Sequence, residues 1–220
     1  MSHRNHPLFA RCYARASRLM EHGVGAHRRT LLDGLSGRVI EVGAGNGMNF
    51  AHYPATVTEV IAVEPEPHLR RIAEKNAAQA AVPVTVVDGL AEVLPADDGS
   101  CDAAIASLVL CTVPDQDRAL AEMFRVLGPG GQLRFFEHVQ AGTPVRRRIQ
   151  KALDATVYPF LAGGCHCGRD TAVAIERAGF TIERIDRLGT ADTQLPFPVS
   201  PQILGTATRP APTARHGSPG

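Results

Sequence analysis

Lysine is nearly missing from this chain: Lys75 and Lys151 are the only two, and arginine supplies the remaining positive charge. Beside abundant alanine and glycine, that reads as a coding bias and not as a functional patch. An excess of one charge sign is missing as well. Lys and Arg number 23 against 22 Asp and Glu, a formal net charge of +1. That balance argues against nucleic acid and against an anionic membrane surface as partners. No run reaches the ~20 apolar residues that span a bilayer, so no membrane anchor is expected. The opening stretch MSHRNHPLFARCYARASRLM has no long apolar core and no small-residue cleavage site, so no secretory signal is expected either. Cysteine is sparse and odd in number: Cys12, Cys101, Cys111, Cys165 and Cys167. Uneven spacing without a secretion signal points to reduced thiols in a cytoplasmic protein. There is no internal repeat, and nothing here sets an oligomeric state.

What is present is an ordinary globular share of hydrophobic residues, 44% of 220, enough for one well-filled domain. Short apolar segments alternate with amphipathic ones. Strands are expected at 37–43, 58–64, 82–88, 101–110 and 132–139. A helix is expected at 68–80, and another begins near Pro114 and is closed by the glycines of GPGG. Strands that are apolar throughout and alternate with helices mark a parallel sheet covered on both faces. The expected fold is therefore a three-layer α/β sandwich. Helical stretches at 146–160 and near 170–178 follow, then two segments, 180–188 and 201–209, able to pair as an antiparallel hairpin. Residues 1–36 are expected to form an N-terminal helical lid, and 209–220 a disordered tail of Pro, Gly and small polar residues.

The strongest chemical signal is VIEVGAGNGMNF, where Gly43, Gly45 and Gly47 separate a strand from a helical segment. Such a turn lets a ligand approach the backbone closely and aims free N–H groups at it. Dinucleotide sites prefer G-x-G-x-x-G, but the third glycine would fall at Met48. Glu41 precedes the turn, and a carboxylate there suits a ligand amino group better than a pyrophosphate. Glu64 ends the second strand, where an acid can take both ribose hydroxyls. Asp88 ends the third, where it can hold an adenine amine. Each acid alone is an unremarkable strand end; together with the glycine turn they point to a nucleoside cofactor.

This pattern resembles the class I S-adenosylmethionine-dependent methyltransferases, over VIEVGAGNG, VIAVEPEPHLRRIAEKN, VDGLAEVLPADDGSCDAAIASLVLCTV and EMFRVLGPGGQLRFFEHV. The resemblance implies a Rossmann-like sheet of seven strands, mostly parallel with the last antiparallel, in a domain spanning 37–208. It implies S-adenosyl-L-methionine as cofactor, bound through Glu41, Gly43, Gly45, Gly47, Asn49, Glu64, Pro65, Asp88, Gly89, Leu90, Ser107 and Leu108. The segments LVLCTV, FFEHV, GGCHCGRDT and PVSPQILGTA further resemble the thiol S-methyltransferase branch. Its eukaryotic members begin with a hydrophobic anchor, which this chain is expected to lack. A small-molecule acceptor, most simply a thiol, follows from that resemblance. The alternatives are an O- or N-methyltransferase of a small metabolite, or a cofactor-binding regulator without catalysis; a nicotinamide oxidoreductase is disfavoured by Met48.

A thiol of pKa ~8.5 already supplies a few per cent thiolate at neutral pH, so its methylation asks little of a base. His138, ending the fifth strand, and His166 are the expected catalytic residues. His138 has a structural histidine as its equally weighted alternative. Tyr13, with Arg11 in the N-terminal helix, and Cys111, Cys165 and Asp170 are the expected acceptor-side residues. In GGCHCGRD, Gly163 and Gly164 allow a sharp turn that carries Cys165 and His166 to the pocket rim. No metal is expected: Cys165 and Cys167 are one residue apart, and no second Cys/His pair has zinc-binding spacing. C-x-C is also not the redox C-x-x-C.

Overall fold

A computed structural model describes residues 24–156 and 158–211. Its strands are β1 (Gly37–Val42), β2 (Val57–Val63), β3 (Val84–Val87), β4 (Cys101–Ser107), β5 (Leu127–His138), β6 (Thr181–Leu188) and β7 (Gln202–Thr208). Helix α1 covers the described residues 24–32. It is followed by α2 (Pro67–Ala77), α3 (Gln116–Val126), α4 (Pro144–Asp154), α5 (Tyr158–Leu161), α6 (Thr171–Arg177) and α7 (Thr190–Thr193). The sheet runs β3-β2-β1-β4-β5-β7-β6. β1 pairs in parallel with β2 and β4, β2 with β3, and β4 with β5. β7 runs antiparallel to both its neighbours, β5 and β6, opposite in direction to the other described strands. This is the expected seven-stranded, mostly parallel sheet.

Alternate residues of a strand face opposite layers, and the centre of this sheet is apolar on both. Ile40 and Val42 join a core with Leu120 and Met123 of α3 and Ala174 and Ile175 of α6. Val39 joins the other core, with Leu31, Leu32 and Leu35. Part of the expected lid, from Val24 to Leu35, is therefore packed on the sheet as a core layer. The helices start where their caps dictate. Glu66 accepts from Leu69 N at 2.7 Å before α2, and Asp115 accepts from Arg118 N at 2.9 Å before α3.

Two strand boundaries differ from expectation for local reasons. β4 stops at Ser107 because Leu108 adopts a left-handed φ of 58°, which breaks the extended run. β5 begins at Leu127, yet Leu127 lies opposite Cys101 while Gln132 lies opposite Ala103. The intervening GPGG is a bulge, and the regular strand starts at Gln132 as expected.

Candidate active site

The carboxyl ends of β1, β2 and β3 form the first half of the site. Gly43, Gly45 and Gly47 all have positive φ, at 68°, 58° and 77°. At Gly43 a Cβ would lie 2.4 Å from Val109 Cγ2, so the close passage of the turn past the loop after β4 requires glycine. Beneath the turn, Glu41 is buried with both oxygens engaged: Asn49 Nδ2 donates at 2.7 Å and Tyr53 OH at 2.8 Å. Arg28 donates to Asn49 Oδ1 at 2.9 Å. Burial pushes the Glu41 carboxyl up to about 7. Glu41 and Asn49 thus brace the turn from the protein side.

Glu64 lies at the end of β2, where Oε2 accepts from Gly45 N at 2.7 Å and Oε1 from Glu66 N at 2.8 Å. Burial raises its carboxyl above the usual range. Asp88, after β3, has a side chain 56% exposed and meets Arg70 at 3.2 Å. The same Arg70 nitrogen donates to the backbone oxygens of Glu64 and Pro65, at 2.7 and 3.1 Å, tying the two strand ends together. Gly89 lies against Val63, and Leu90 closes a small bridge with Val93. At the end of β4, Ser107 Oγ is buried without a hydrogen-bond partner among the described residues. Beside it, Leu108 holds its left-handed backbone and donates to Phe136 O at 2.7 Å. A strained residue next to an orphaned hydroxyl is the kind of feature found at ligand sites. S-adenosylmethionine fits these residues: a turn with glycine at three of its five positions, acids after β2 and β3, and a hydroxyl without a partner among the described residues at the β4 end.

The second half lies at the ends of β4 and β5. Glu137, fully buried, accepts from Val109 N and Leu110 N through Oε1, at 2.9 and 2.8 Å, and from Cys111 N through Oε2 at 3.1 Å. It holds the loop after β4 in place, and burial pushes its carboxyl up to about 7. His138 Nδ1 lies 3.5 Å from Cys111 Sγ and 3.4 Å from Cys165 Sγ. Burial pushes this imidazole down to about 4, so it is neutral at physiological pH and a weak base.

The glycine loop docks onto the same place. Gly164 has φ 93°, and a Cβ there would lie 2.9 Å from Thr112 O, so glycine lets the loop pass tightly under the β4 loop. His166 N donates to Cys111 O at 2.8 Å, and its ring Nδ1 lies 2.7 Å from Gly164 O. Arg169 donates to Leu110 O at 2.6 Å. Asp154, in the last turn of α4, accepts from Cys167 N at 3.0 Å and Gly168 N at 2.8 Å. Cys167 Sγ lies 3.8 Å from Cys165 Sγ and 3.5 Å from Tyr158 OH. The Cys165 thiol is pushed up by its hydrogen bond with Cys111 and by burial, and the Cys167 thiol by Cys165 and burial.

Cys111, His138 and Cys165 are thus brought together, and His166 contributes its backbone to the same junction. Cys165 is 5% exposed, further inside than a pocket rim. Asp170 caps α6, accepting from Val173 N at 3.5 Å and from Gln140. Tyr13 and Arg11 lie outside the described residues. Sequence reasoning missed Glu137, Asp154 and Arg70. For Glu137 a signal existed: a single acid inside the apolar run FFEHV has to be satisfied internally. Sequence spacing compares only near neighbours, whereas the fold joins two cysteines that lie 27 residues to either side of His138.

A doubly wound sheet with a glycine turn after β1 and acids after β2 and β3 defines a nucleoside-cofactor enzyme of the Rossmann-like class. Residues 40–135 match the family model described as a methyltransferase domain. The chain is 32% identical to human thiol S-methyltransferase TMT1A over 187 residues, covering 80% of this chain and 73% of that one. It is 34% identical to mouse thiol S-methyltransferase TMT1B, covering 81% and 74%. Among solved structures, it shares the fold of a SAM-dependent methyltransferase, a possible histamine N-methyltransferase, from Thermotoga maritima, with a TM-score of 0.67 at 24% identity over 91% of this chain and 98% of that one. The chain belongs to the S-adenosylmethionine-dependent methyltransferases, and it is an enzyme that uses this cofactor. Among the described residues, no helix is long and apolar enough to cross a membrane.

Proposed function

We propose that this enzyme methylates the sulfur of a small-molecule thiol. The observation that carries the reading is the weakness of the bases at the acceptor end. His138 is pushed down to about 4 by burial, and both oxygens of Glu137 are committed to backbone N–H groups. An alcohol would need a committed base. A thiol with a pKa of ~8.5 brings its own nucleophilic fraction. The similarity to thiol S-methyltransferases over most of their length supports the same acceptor class.

The cofactor supplies an activated methyl group on a sulfonium. The chain's own task is then alignment, which is where effective molarity comes from. In this reading Glu64 takes the ribose hydroxyls and Asp88 the adenine amine. The turn from Gly43 to Gly47 and the Ser107–Leu108 step hold the methionine part, and Cys111, His138 and Cys165 face the acceptor. Glu137 is a positioning residue that fixes Val109 to Cys111 between the two. The free thiols at Cys101, Cys111, Cys165 and Cys167 support a reducing, cytoplasmic setting. The test is turnover of matched thiols, alcohols and amines with product detection by mass spectrometry. A thiol should be fastest, with a rate that rises with pH as the thiol ionises; faster turnover of the alcohol across the pH range would reject the reading.

A further inference from the structure

Cys111, His138 and Cys165 come from three separate elements: the loop after β4, the last residue of β5 and the glycine loop before α6. Their donor atoms all lie within 4.8 Å of one another. The two sulfurs stand 3.5 and 3.4 Å from the same nitrogen, His138 Nδ1. With Zn–S of ~2.3 Å and Zn–N of ~2.0–2.1 Å at a tetrahedral angle, a ligating sulfur and nitrogen are separated by about 3.6 Å. The observed distances are the edges of such a tetrahedron. Hydrogen bonding accounts for them less well, because Nδ1 offers one lone pair or one hydrogen and two sulfurs meet it.

We propose that Cys111, His138 and Cys165 bind one zinc ion, whose fourth position receives the sulfur of the thiol acceptor. The acceptor half of this proposal rests on the thiol-methyltransferase reading above; the metal half does not.

Three further observations support it. Ligation through Nδ1 leaves the proton on Nε2, which then needs an acceptor. His138 is the register partner of Gln202 on β7, so the two side chains share a sheet face. Gln202 is 1% exposed and its Oε1 is buried without a partner among the described residues. Second, the site is held open by bonds that need no ion: Cys111 N on Glu137, His166 N on Cys111 O, and Cys167 N and Gly168 N on Asp154. Third, two thiolates balance one Zn²⁺, so no net charge is buried among side chains as enclosed as Cys111 and Cys165. Cys167 stands apart from the trio, its sulfur between Cys165 and Tyr158 OH.

Three protein ligands with one position left over is the composition of a reactive zinc site, not of a structural one. Cys111 and Cys165 each release a proton to solvent as the ion binds. The acceptor R–SH releases a third as its sulfur–zinc bond forms, so it is presented as thiolate below its own pKa. As the acceptor sulfur bonds the methyl carbon, the methyl–sulfonium bond of the cofactor breaks and S-adenosylhomocysteine departs; the methylated acceptor is a neutral thioether, a weaker ligand, which then leaves.

The experiment uses the full-length protein, freed of metal by a chelator and titrated with Co²⁺ as a spectroscopic stand-in for zinc. One equivalent should give tetrahedral visible bands and sulfur-to-cobalt charge transfer, both erased by Zn²⁺. A small alkanethiol should then strengthen the charge transfer, and the matched alcohol should not. Outer-shell partners are worth ~10–100-fold in metal affinity. Gln202→Leu should fall in that range, and Cys111→Ser, Cys165→Ser and His138→Ala should each lose more than ~100-fold. Cys101→Ser, at the far end of β4, should change nothing. A retained rise in melting temperature with S-adenosylmethionine certifies that each variant is folded. Thiol turnover should fall at least ~10-fold in the metal-free protein and return with zinc. No uptake at one equivalent, or uptake unaffected in Cys111→Ser and Cys165→Ser, overturns the zinc site. Undiminished thiol methylation by the metal-free protein overturns its role and leaves the thiol reading standing. One-equivalent binding with alcohols turned over faster than thiols overturns the acceptor half and leaves the metal half standing.

Discussion

The two halves of the site are built differently. At the ends of β1 to β3, the partners are near in sequence: Asn49 lies 8 residues from Glu41, and Gly45 lies 19 from Glu64. At the ends of β4 and β5 they are distant: Glu137 reaches back 26 to 28 residues to the β4 loop, and Cys111 and Cys165 each lie 27 from His138. The half at the ends of β1 to β3 is an ordered strand–turn unit in which Glu64 is bonded to backbone N–H groups, Glu41 to the Asn49 and Tyr53 side chains, and Asp88 to Arg70. The acceptor half is a neutral cluster of sulfur and imidazole held up by one buried carboxylate. A common cofactor can be held by a local, repeatable unit, whereas an acceptor site is set by whichever loops the fold brings to the remaining strand ends.

The sharpest way to break this contrast is at Glu137. Glu137→Ala leaves three N–H groups without their acceptor, each worth ~1–3 kcal/mol when buried and unpaired. Chemical denaturation should show a loss of about 3–9 kcal/mol, and turnover should fall further than cofactor affinity in whatever fraction stays folded. Glu137→Gln keeps an acceptor oxygen and should recover part of both. A Glu137→Ala protein as stable as the parent would remove the carboxylate from its supporting role.

A smaller effect is expected beneath the glycine turn. The Glu41 carboxyl is raised from 4.5 to about 7, by burial above all. The folded state therefore holds its proton where the unfolded state has lost it. Stability from this group is fully present below pH ~4.5, declines as pH rises toward about 7, and is flat above that. A shift of this size corresponds to at most ~3 kcal/mol. Glu137 slopes the same way, so Glu41→Gln should flatten only part of the fall in melting temperature between pH 5 and 8. An unchanged slope in that variant would mean Glu41 titrates normally.

The smallest effect, and the most selective, is at Asp88. Its side chain is half exposed and pairs with Arg70, so Asp88→Ala should cost little stability. It should weaken S-adenosylmethionine by ~1–2 kcal/mol, about 5–30-fold, read by calorimetry. The KM for the thiol should stay unchanged, because Asp88 lies at the end of β3 and the acceptor cluster at the ends of β4 and β5. Equal losses for cofactor and acceptor would mean that the two halves do not work separately.

Local pattern by itself determined the fold class, the succession of strands and helices along the chain, and the glycine turn with its acids at the strand ends. Apolar runs of strand length, capped helices and a glycine turn are short-range features, and each is written within a few residues. The residue types of the acceptor half were visible too: Cys111, His138, Cys165 and the glycines before it. Their meeting was not, because proximity between residues 27 apart on either side depends on β4 and β5 being neighbours and on the loop from Gly163 to Asp170 folding back under Thr112. Periodicity put Glu137 on a core-facing strand without saying that a loop's three N–H groups would come to meet it. The packing of Val24 to Leu35 onto the sheet, where a lid was expected, is of the same kind: an amphipathic helix shows that it has a face to bury, and only the tertiary structure decides against what.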